Sequence, residues 1–509
     1  MNLSRWIGHW ADFQPDKTAI RFEGNDISYA ALNGRIQQVA ALLRDGLSVD
    51  RGDRIAFLGL NSPDMLVLLF ACARIGAILV PMNWRLAPPE HLYILKNAGA
   101  KILFCEEEFA QGIDSIADAL TDCRIVAMDA EFNRLASDAA HDAFDADAGP
   151  NDPLLIVYTS GTTGRPKGAV LTQHALTVNA ANSAAMHDMT NSDVIFTNLP
   201  LFHVGGLNIQ TTPAFHAGAT VILHRRFDPG ETMRVIDKEK PSLMILVPAM
   251  MSAVMQHPGW NRLDLSCLRA LTTGSTTVPL SLIDAYQDRG VPVIQIYGST
   301  ETAPIVIHQR IPDAWSNKGS TGRAALHCDA KIIDAAGNTL DADEKGEIAV
   351  RGANIMTEYW NDSEATDEVL QDGWFRTGDI GHIDSDGLYY VDDRVKDVVV
   401  SGSENIYPAE LERVLDRCTD IAESAVVGRS DERWGEVPVA IVVAVEDAHL
   451  TRQDVLALFE GELARFKHPR DVVFRKALPR NVMGKVLKYE LRATLGQPSP
   501  ETISGVRPE

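Results

Sequence analysis

The sequence predicts an α/β protein. Mainly parallel sheets covered by helices run to about residue 390, and a smaller α+β unit follows. Three observations carry this. Short apolar strand-like runs alternate with helical runs through most of the chain, the rhythm of βα units. At 509 residues the chain is too long for one hydrophobic core, so two or three domains are expected. The pattern then changes after Gly378, where short β pieces precede a compact mixture of helices and strands.

In chain order, Arg54–Gly59 reads as a core strand. Met65–Val80 is apolar apart from Arg74 and invites reading as a membrane span. It is short for one, and a central arginine costs roughly 2.5–3.5 kcal/mol on insertion scales. With Gly76 and Pro81 as punctuation, it reads instead as a buried helix over 63–74 and a strand over 77–80. Lys101–Cys105, Leu154–Thr159, Thr220–Leu223, Leu243–Val247 and Val293–Ile296 read as further strands, and the acidic stretch Asp138–Asp152 as a surface loop. Glu347–Arg351 and Gly387–Val391 look like short β pieces. Pro408 opens a helix whose apolar face is Leu411, Val414, Leu415 and Cys418. Strands over 424–428 and 437–445, a helix over 452–465 and a strand near Val472 complete the second unit. The boundary is placed at Arg394–Asp397, giving domains 1–395 and 396–509, and the tail from Gly496 is expected to be disordered.

Composition narrows the function. Hydrophobic residues at 45% and charged residues at 23% are those of an ordinary globular protein. A formal charge of −22 argues against a nucleic-acid partner and requires that anionic ligands be met by local positive charge. Six scattered cysteines without a CxxC pair give no disulfide frame or zinc site and fit a reducing cytosol. No apolar signal region is visible between Met1 and Lys17. A cytoplasmic location without a transmembrane span is therefore expected.

The most specific motif is Tyr158-Thr159-Ser160-Gly161-Thr162-Thr163-Gly164-Arg-Pro-Lys167-Gly168. Its glycines let the backbone turn tightly and aim N–H groups at one spot. Hydroxyls add donors, and Lys167 adds a charge. Such a loop suits a polyphosphate, but Pro166 before the lysine and Gly168 after it exclude a Walker loop. Tyr297-Gly298-Ser-Thr300-Glu301 follows a strand, where open sheets bind ligands. Glu301 suits Mg²⁺, which takes carboxylate and phosphate oxygens together. Taken alone, the segment also reads as a turn with a helix cap. Asp379 follows a glycine turn and suits a ribose, or alternatively caps its own turn. A polar, glycine-bearing stretch runs from Asp393 to Glu410, and Pro479–Lys485 ends in Gly-Lys.

Together, in this order and spacing, these segments resemble the adenylate-forming superfamily, most closely the AMP-forming acyl-CoA synthetases. The resemblance covers about residues 15 to 492. It implies a large N-terminal domain with a β-barrel-like part and a small mobile C-terminal domain. It implies that Thr159, Ser160, Gly161, Thr162, Thr163, Gly164 and Lys167 hold the ATP phosphates, with Thr300 and Glu301 beside them and Thr163 and Glu301 on Mg²⁺. Gly274, Ser275, Tyr297 and Gly298 would meet the adenine, and Asp379 and Arg394 the ribose. Lys396 would be the hinge, Lys485 the catalytic lysine, and Ser401, Gly402 and Trp434 the CoA contacts. In Pro200–Gly206, His203 would gate or orient the carboxylate. Phe202, Val204, Gly205, Met250, Ala303 and Ile305 would line the acyl pocket. Ser403 stands where relatives often carry glycine. Gly274-Ser-Thr-Thr277 replaces the usual Gly-Gly/Ala-Ala-Pro.

The implied activity joins a carboxylic acid to CoA through an acyl-adenylate, with ATP and CoA as co-substrates and Mg²⁺ as cofactor. His203 stands where amino-acid activators carry aspartate, which disfavours an amino acid. The apolar walls suggest a monocarboxylate, a medium- or long-chain fatty acid first and a benzoate- or cinnamate-type aromatic acid second. Two rivals are kept: an acyl-AMP ligase loading a carrier protein, and a degenerate nucleotide sensor without catalysis. A homodimer is also entertained.

Overall fold

The structure, a computed structural model, describes residues 2–495 except 139–147, 160–165, 276–277, 395–396, 402–403, 432–433, 447, 461, 464 and 481–484. Contacts divide the chain into two compact units, residues 1–331, 349–377 and 386–389, and residues 332–348, 378–385 and 390–509.

The first unit holds two large sheets. One has nine strands in the order Arg323–Ala324, Ile307–His308, Val293–Tyr297, Ala270–Gly274, Leu243–Ile245, Val194–Thr197, Thr220–Leu223, Thr18–Phe22 and Asn25–Ser28. Its interior is parallel, and antiparallel pairs occur only towards the two edges. The other has six strands in the order Arg124–Ala127, Ala100–Cys105, Arg54–Leu58, Ile78–Met82, Pro153–Thr159 and Lys167–Thr172. All its pairs are parallel except the last. The expected βα architecture is thus present.

The apolar stretch after Ser62 folds as Pro63–Ile75 followed by strand Ile78–Met82. Pro63 sits at the first helical position, the Ser62 hydroxyl accepts from the Met65 N–H at 3.3 Å, and Gly76 ends the helix at φ +76°. Both elements are almost wholly buried, the strand inside the six-stranded sheet and the helix against it and other helices. Among the described residues no helix is long and apolar enough to cross a membrane.

Helix Gln173–His187 is the unusual element. The Thr172 hydroxyl accepts from the Ala175 N–H at 3.1 Å and starts it. Asn179, Asn182, Ser183 and His187 lie along one face at i, i+3, i+4 and i+8, and all four are fully buried. A buried polar stripe must be hydrogen-bonded, and the partners of this one fix the functional segments described below.

A curled five-stranded sheet comprises Cys328–Ile333, Gly346–Gly352, Trp374–Ile383, Leu370–Gln371 and Tyr389–Arg394. It is the part expected to be barrel-like, and its strands are shared out between the two units.

In the second unit Gly435–Ala444 is the central strand. It pairs with Ile421–Asp431 and Val399–Ser401 antiparallel and with Asp471–Phe474 parallel. Helix Pro408–Leu415 buries Leu411, Val414 and Leu415 against this sheet, while Cys418 lies beyond the helix end. The helix expected over 452–465 ends at Ala457. There the chain tightens: the N–H groups of Leu458, Phe459 and Glu460 bond three residues back, which carries Phe459 into the core. The expected domain boundary, Arg394–Asp397, includes residues outside those described.

Candidate active site

In the first unit, Pro153–Thr159 and Lys167–Thr172 form an antiparallel hairpin in which Thr159 pairs with Lys167. The loop between them carries Ser160, Gly161, Thr162, Thr163 and Gly164, which lie outside the described residues. Its two anchors are well defined. Gly168 is required because a Cβ there would stand 2.6 Å from Ile156 Cγ2. The outer edge of the hairpin is held by residues 357–360. Thr357 N–H donates to Val170 O at 3.1 Å, Val170 N–H to Glu358 O at 3.0 Å, and Trp360 N–H to Gly168 O at 2.7 Å.

This edge contact brings in a residue that sequence reasoning missed. The Tyr359 hydroxyl donates to Glu301 Oε1 at 2.8 Å, and the Lys167 ammonium lies 5.4 Å from the Tyr359 ring centroid. One aromatic side chain therefore touches both the phosphate-loop lysine and the expected metal-binding carboxylate. Burial, reinforced by the Glu301 charge, drives the phenol pKa upward, so Tyr359 stays a donor. The only signal in the sequence is an aromatic pair, Tyr359-Trp360, with nothing to place it.

Glu301 lies on a short 3₁₀ turn, Thr300–Thr302, just past strand Val293–Tyr297. Gly298 begins the turn, and a Cβ there would fall 1.6 Å from the Pro304 carbonyl oxygen. The Thr302 hydroxyl accepts from the Ser299 N–H at 2.9 Å, and Met356 N–H donates to Glu301 O at 2.7 Å. Ala303, fully buried, adopts φ +69°, a left-handed conformation that L-residues avoid and that persists only where surroundings enforce it. Buried amides do so here. Asn354 Nδ2 donates to Thr302 O at 2.7 Å and Ile305 O at 3.0 Å, and Ile305 N–H donates to Asn179 Oδ1 at 3.0 Å. Gly274 ends the neighbouring strand, where a Cβ would meet Ile296 O at 2.5 Å, and Ser275 follows at φ +74°. Tyr297 ends the next strand. Gly274, Ser275, Tyr297, Gly298, Thr300 and Glu301 thus all sit at the carboxyl ends of adjacent parallel strands.

The segment after strand Val194–Thr197 supplies a second wall. Gly206 folds back so closely that a Cβ would lie 2.2 Å from Pro200 O, and no side chain fits. His203 packs against Phe202 with centroids 4.5 Å apart and the rings tilted by 46°, and Phe202 meets Trp84 edge-on at 6.5 Å. Burial, with the Arg85 charge adding to it, holds the His203 imidazole down to about 4, so it is neutral at pH 7. Its Nε2 is buried without a partner among the described residues. Asn179 joins this wall to the other one: its Nδ2 donates to Asn208 O at 2.7 Å while its Oδ1 holds Ile305. Phe202, Val204, Ala303 and Ile305 are buried and Gly205 and Met250 partly so. The structure therefore brings the 203–205 and 303–305 groups expected at the acyl pocket together.

In the second unit, Asp379 is buried in strand Trp374–Ile383 directly after Gly378, which takes φ +69°. Glu347 Oε1 accepts from the Gly378 N–H at 3.0 Å. Arg394 ends strand Tyr389–Arg394. Lys396 and Gly402 lie outside the described residues. Ser401 pairs across to Gly435, next to Trp434, so these two expected CoA contacts share one sheet edge. Trp434 is 39% exposed, and the Arg470 guanidinium lies 6.0 Å from its ring centroid. Lys485 stands beside Val486, which bridges to Arg480 and packs on Ala425, Val427 and Leu491. A core-anchored neighbour thus positions the lysine backbone.

Residues 7–360 match the family described as AMP-binding enzyme, and residues 410–485 match the AMP-binding enzyme C-terminal domain. The chain belongs to the AMP-binding enzyme family. It is 51% identical over 499 residues to the indoleacetate–CoA ligase of Aromatoleum aromaticum, covering 97% of this chain and 98% of that one. It is 38% identical over 474 residues to the long-chain-fatty-acid–CoA ligase FadD13 of Mycobacterium tuberculosis, covering 92% of each. The crystal structure of the anthranilate CoA ligase AuaEII in complex with anthranoyl-AMP superposes with a TM-score of 0.91 at 26% identity, covering 97% of both chains. The protein is an AMP-forming acyl-CoA synthetase of the adenylate-forming superfamily, an acid–thiol ligase that takes ATP and CoA as co-substrates.

The neutral buried histidines of this enzyme have a measurable consequence. His187 is fully buried, and burial brings its pKa from 6.5 to about 4. Between these values the unfolded chain binds a proton that the folded chain refuses. Stability is therefore complete above pH 6.5 and falls as the pH drops towards 4. At pH 5 the loss is about 2 kcal/mol for this one residue, and His203 adds in the same direction. The thermal unfolding temperature should fall between pH 7 and pH 5, and should fall less in His187→Gln. An equal fall in both proteins would contradict this assignment.

Proposed function

We propose that this synthetase activates an arylacetic acid of the indoleacetate type, forming its acyl-adenylate and then its CoA thioester. The observation that carries this reading is the 51% identity, over nearly the whole of both chains, to an enzyme named for indoleacetate. Buried neutral polar groups between the two walls of the acid site add support, since a fatty acyl chain has no use for them. A medium- or long-chain fatty acid is the second reading, favoured by the apolar walls and by the resemblance to the fatty-acid ligase. Aliphatic and planar acids are lined by the same residue types, so composition does not separate them.

In the first step a carboxylate oxygen attacks the α-phosphorus of ATP and the bond to pyrophosphate breaks. Two anions must approach, so preorganised positive charge at the developing transition state is the largest lever. We assign that charge to Lys485 at the α-phosphate and to Lys167 on the departing pyrophosphate. Holding the acid within reach of phosphorus supplies much of the remaining acceleration. Neutral His203 orients the carboxylate without neutralising it, which keeps the oxygen nucleophilic. Asp379 and Arg394 hold the ribose, and Tyr297 the adenine face. In the second step the CoA sulfur attacks the acyl carbon, its proton is lost to solvent, and AMP leaves. Ser401 and Trp434 are assigned to CoA, and Lys396 to the hinge about which the C-terminal domain turns between the steps.

The residues fit magnesium. Glu301 is a half-buried carboxylate with one oxygen already fixed by Tyr359. No cluster of three or more acidic, histidine or cysteine groups stands beside it among the described residues. A single carboxylate is what Mg²⁺ uses where phosphate oxygens and water supply the rest. Glu301 would hold it, with Thr163, and the ion would neutralise phosphate charge. Tyr359 orients Glu301 for that task.

Three outcomes follow. In an AMP-release assay with CoA, indoleacetate should give a higher kcat/KM than octanoate, palmitate or benzoate, and a preference for palmitate would favour the fatty-acid reading. Product formation that needs no CoA would instead favour a carrier-protein ligase. Lys485→Ala should lower adenylate formation by about 10²–10⁴-fold while leaving CoA transfer from preformed acyl-AMP largely intact; unchanged pyrophosphate exchange would remove Lys485 from this role. Tyr359→Phe keeps the ring over Lys167 and deletes one hydrogen bond. Calorimetry should show Mg²⁺-dependent ATP binding weakened about 10-fold, with Mg²⁺-free binding unaffected; equal losses in both would make Tyr359 merely structural.

A further inference from the structure

We propose that Gln210 Oε1 is the specificity acceptor for a ring N–H of the aromatic acid, a proposal that rests on the arylacetate reading above. Gln210 lies on the π-helical turn Leu207–Thr211, directly after the segment that carries His203. Such turns inside helices commonly occur at functional sites. The residue is 1% exposed.

The orientation of its amide is fixed by its neighbours. His187 Nδ1 is 2.9 Å from Ser183 O, a carbonyl that only accepts, so Nδ1 carries the proton. The neutral imidazole then presents a lone pair at Nε2, and the Thr272 hydroxyl donates to it at 2.8 Å. Gln210 Nε2 lies 3.1 Å from Thr272 Oγ1, 3.1 Å from His187 Nε2 and 3.5 Å from Met244 O. Thr272 Oγ1 and Met244 O accept from it, and the His187 Nε2 lone pair, shared with the Thr272 hydroxyl, also faces it, so the nitrogen faces them and the oxygen faces away. Reversing the amide would set Oε1 against two lone pairs. Oε1 is therefore an acceptor pointing out of the network, buried and without a partner among the described residues.

Gln210 meets the nine-stranded sheet at its carboxyl edge, through Thr272. Thr272 begins the last three residues of strand Ala270–Gly274, at the carboxyl edge where Gly274 and Tyr297 also stand. Thr273 Oγ1, the next residue on that strand, is likewise buried and without a partner among the described residues. The chemistry of Oε1 selects the ligand. A neutral amide oxygen suits a neutral donor, whereas a cationic acid would call for a carboxylate. The network behind Gln210 also holds the side chain in one orientation. An aryl acid with an N–H in its ring, as in indole-3-acetate, satisfies it.

The test uses the full-length enzyme with ATP, Mg²⁺ and CoA, and compares indole-3-acetate with benzothiophene-3-acetate, in which sulfur replaces the N–H. The wild type should favour the indole by about 10²-fold in kcat/KM, because the analogue leaves one buried neutral acceptor unpaired. Gln210→Leu should bring the ratio near unity, chiefly by losing activity on the indole. Gln210→Asn, which withdraws the acceptor by one methylene, should fall between. Equal wild-type kcat/KM for the two acids would overturn the proposal and leave the arylacetate reading standing. Failure to turn over either acid, with fatty acids activated, would overturn both. A uniform loss on both acids in Gln210→Leu and Gln210→Asn would make the residue structural and overturn the proposal.

Discussion

The carboxyl edge of the nine-stranded sheet depends on the buried polar face of helix Gln173–His187. Asn179 holds Ile305 on one side and Asn208 on the other, Ser183 holds Ile209, Asn182 holds Ile305 and His327, and His187 meets Thr272 and Gln210. Four side chains on one helix thereby tie the segment after His203 to the turn around Ile305 and to the end of strand Ala270–Gly274. A network of this kind is stabilising only when every member is satisfied, since an unmade bond at a buried polar atom costs about 1–3 kcal/mol. Atoms left without a partner among the described residues, on His203, Asn208, Gln210 and Thr273, stand on the segments that this helix positions.

Glycine does complementary work at the same edge. Gly206, Gly274 and Gly298 each bring backbone within a distance that no Cβ allows. The amides then hold Ala303 in a conformation it would not choose alone. Close backbone approaches and left-handed residues, Ser275 and Ala303, thus gather at the turns that end these strands.

These causes differ in how far the sequence discloses them. The strand Leu154–Thr159 with its glycine-rich loop and the turn at Tyr297–Glu301 were legible, because glycines and hydroxyls in close succession have few structural uses; the return strand Lys167–Thr172 was not. The parallel sheets were legible through strand spacing. Helix Gln173–His187 was not, since Asn, Ser and His at helical spacing read equally well as a solvated face, and periodicity does not say what covers it. Tyr359 was not, because its role arises from pairing with Ala169 across the sequence. The helix over 452–465 was overextended, since a helical pattern does not reveal where a turn tightens to rotate one phenylalanine inward.

The electrostatics of the site follow from the net charge. A chain carrying −22 repels its own substrates, ATP, CoA and a carboxylate, so cations must be few and placed where charge develops. A protonated histidine beside the acid would bind the ground state and blunt its nucleophilicity. Burial removes that option by holding His203 neutral. The same logic holds behind Gln210, where burial keeps the His187 imidazole neutral. In the proposed mechanism, selectivity for the acid is thereby left to hydrogen bonds and shape, and charge is reserved for phosphorus, on Lys167 and Lys485.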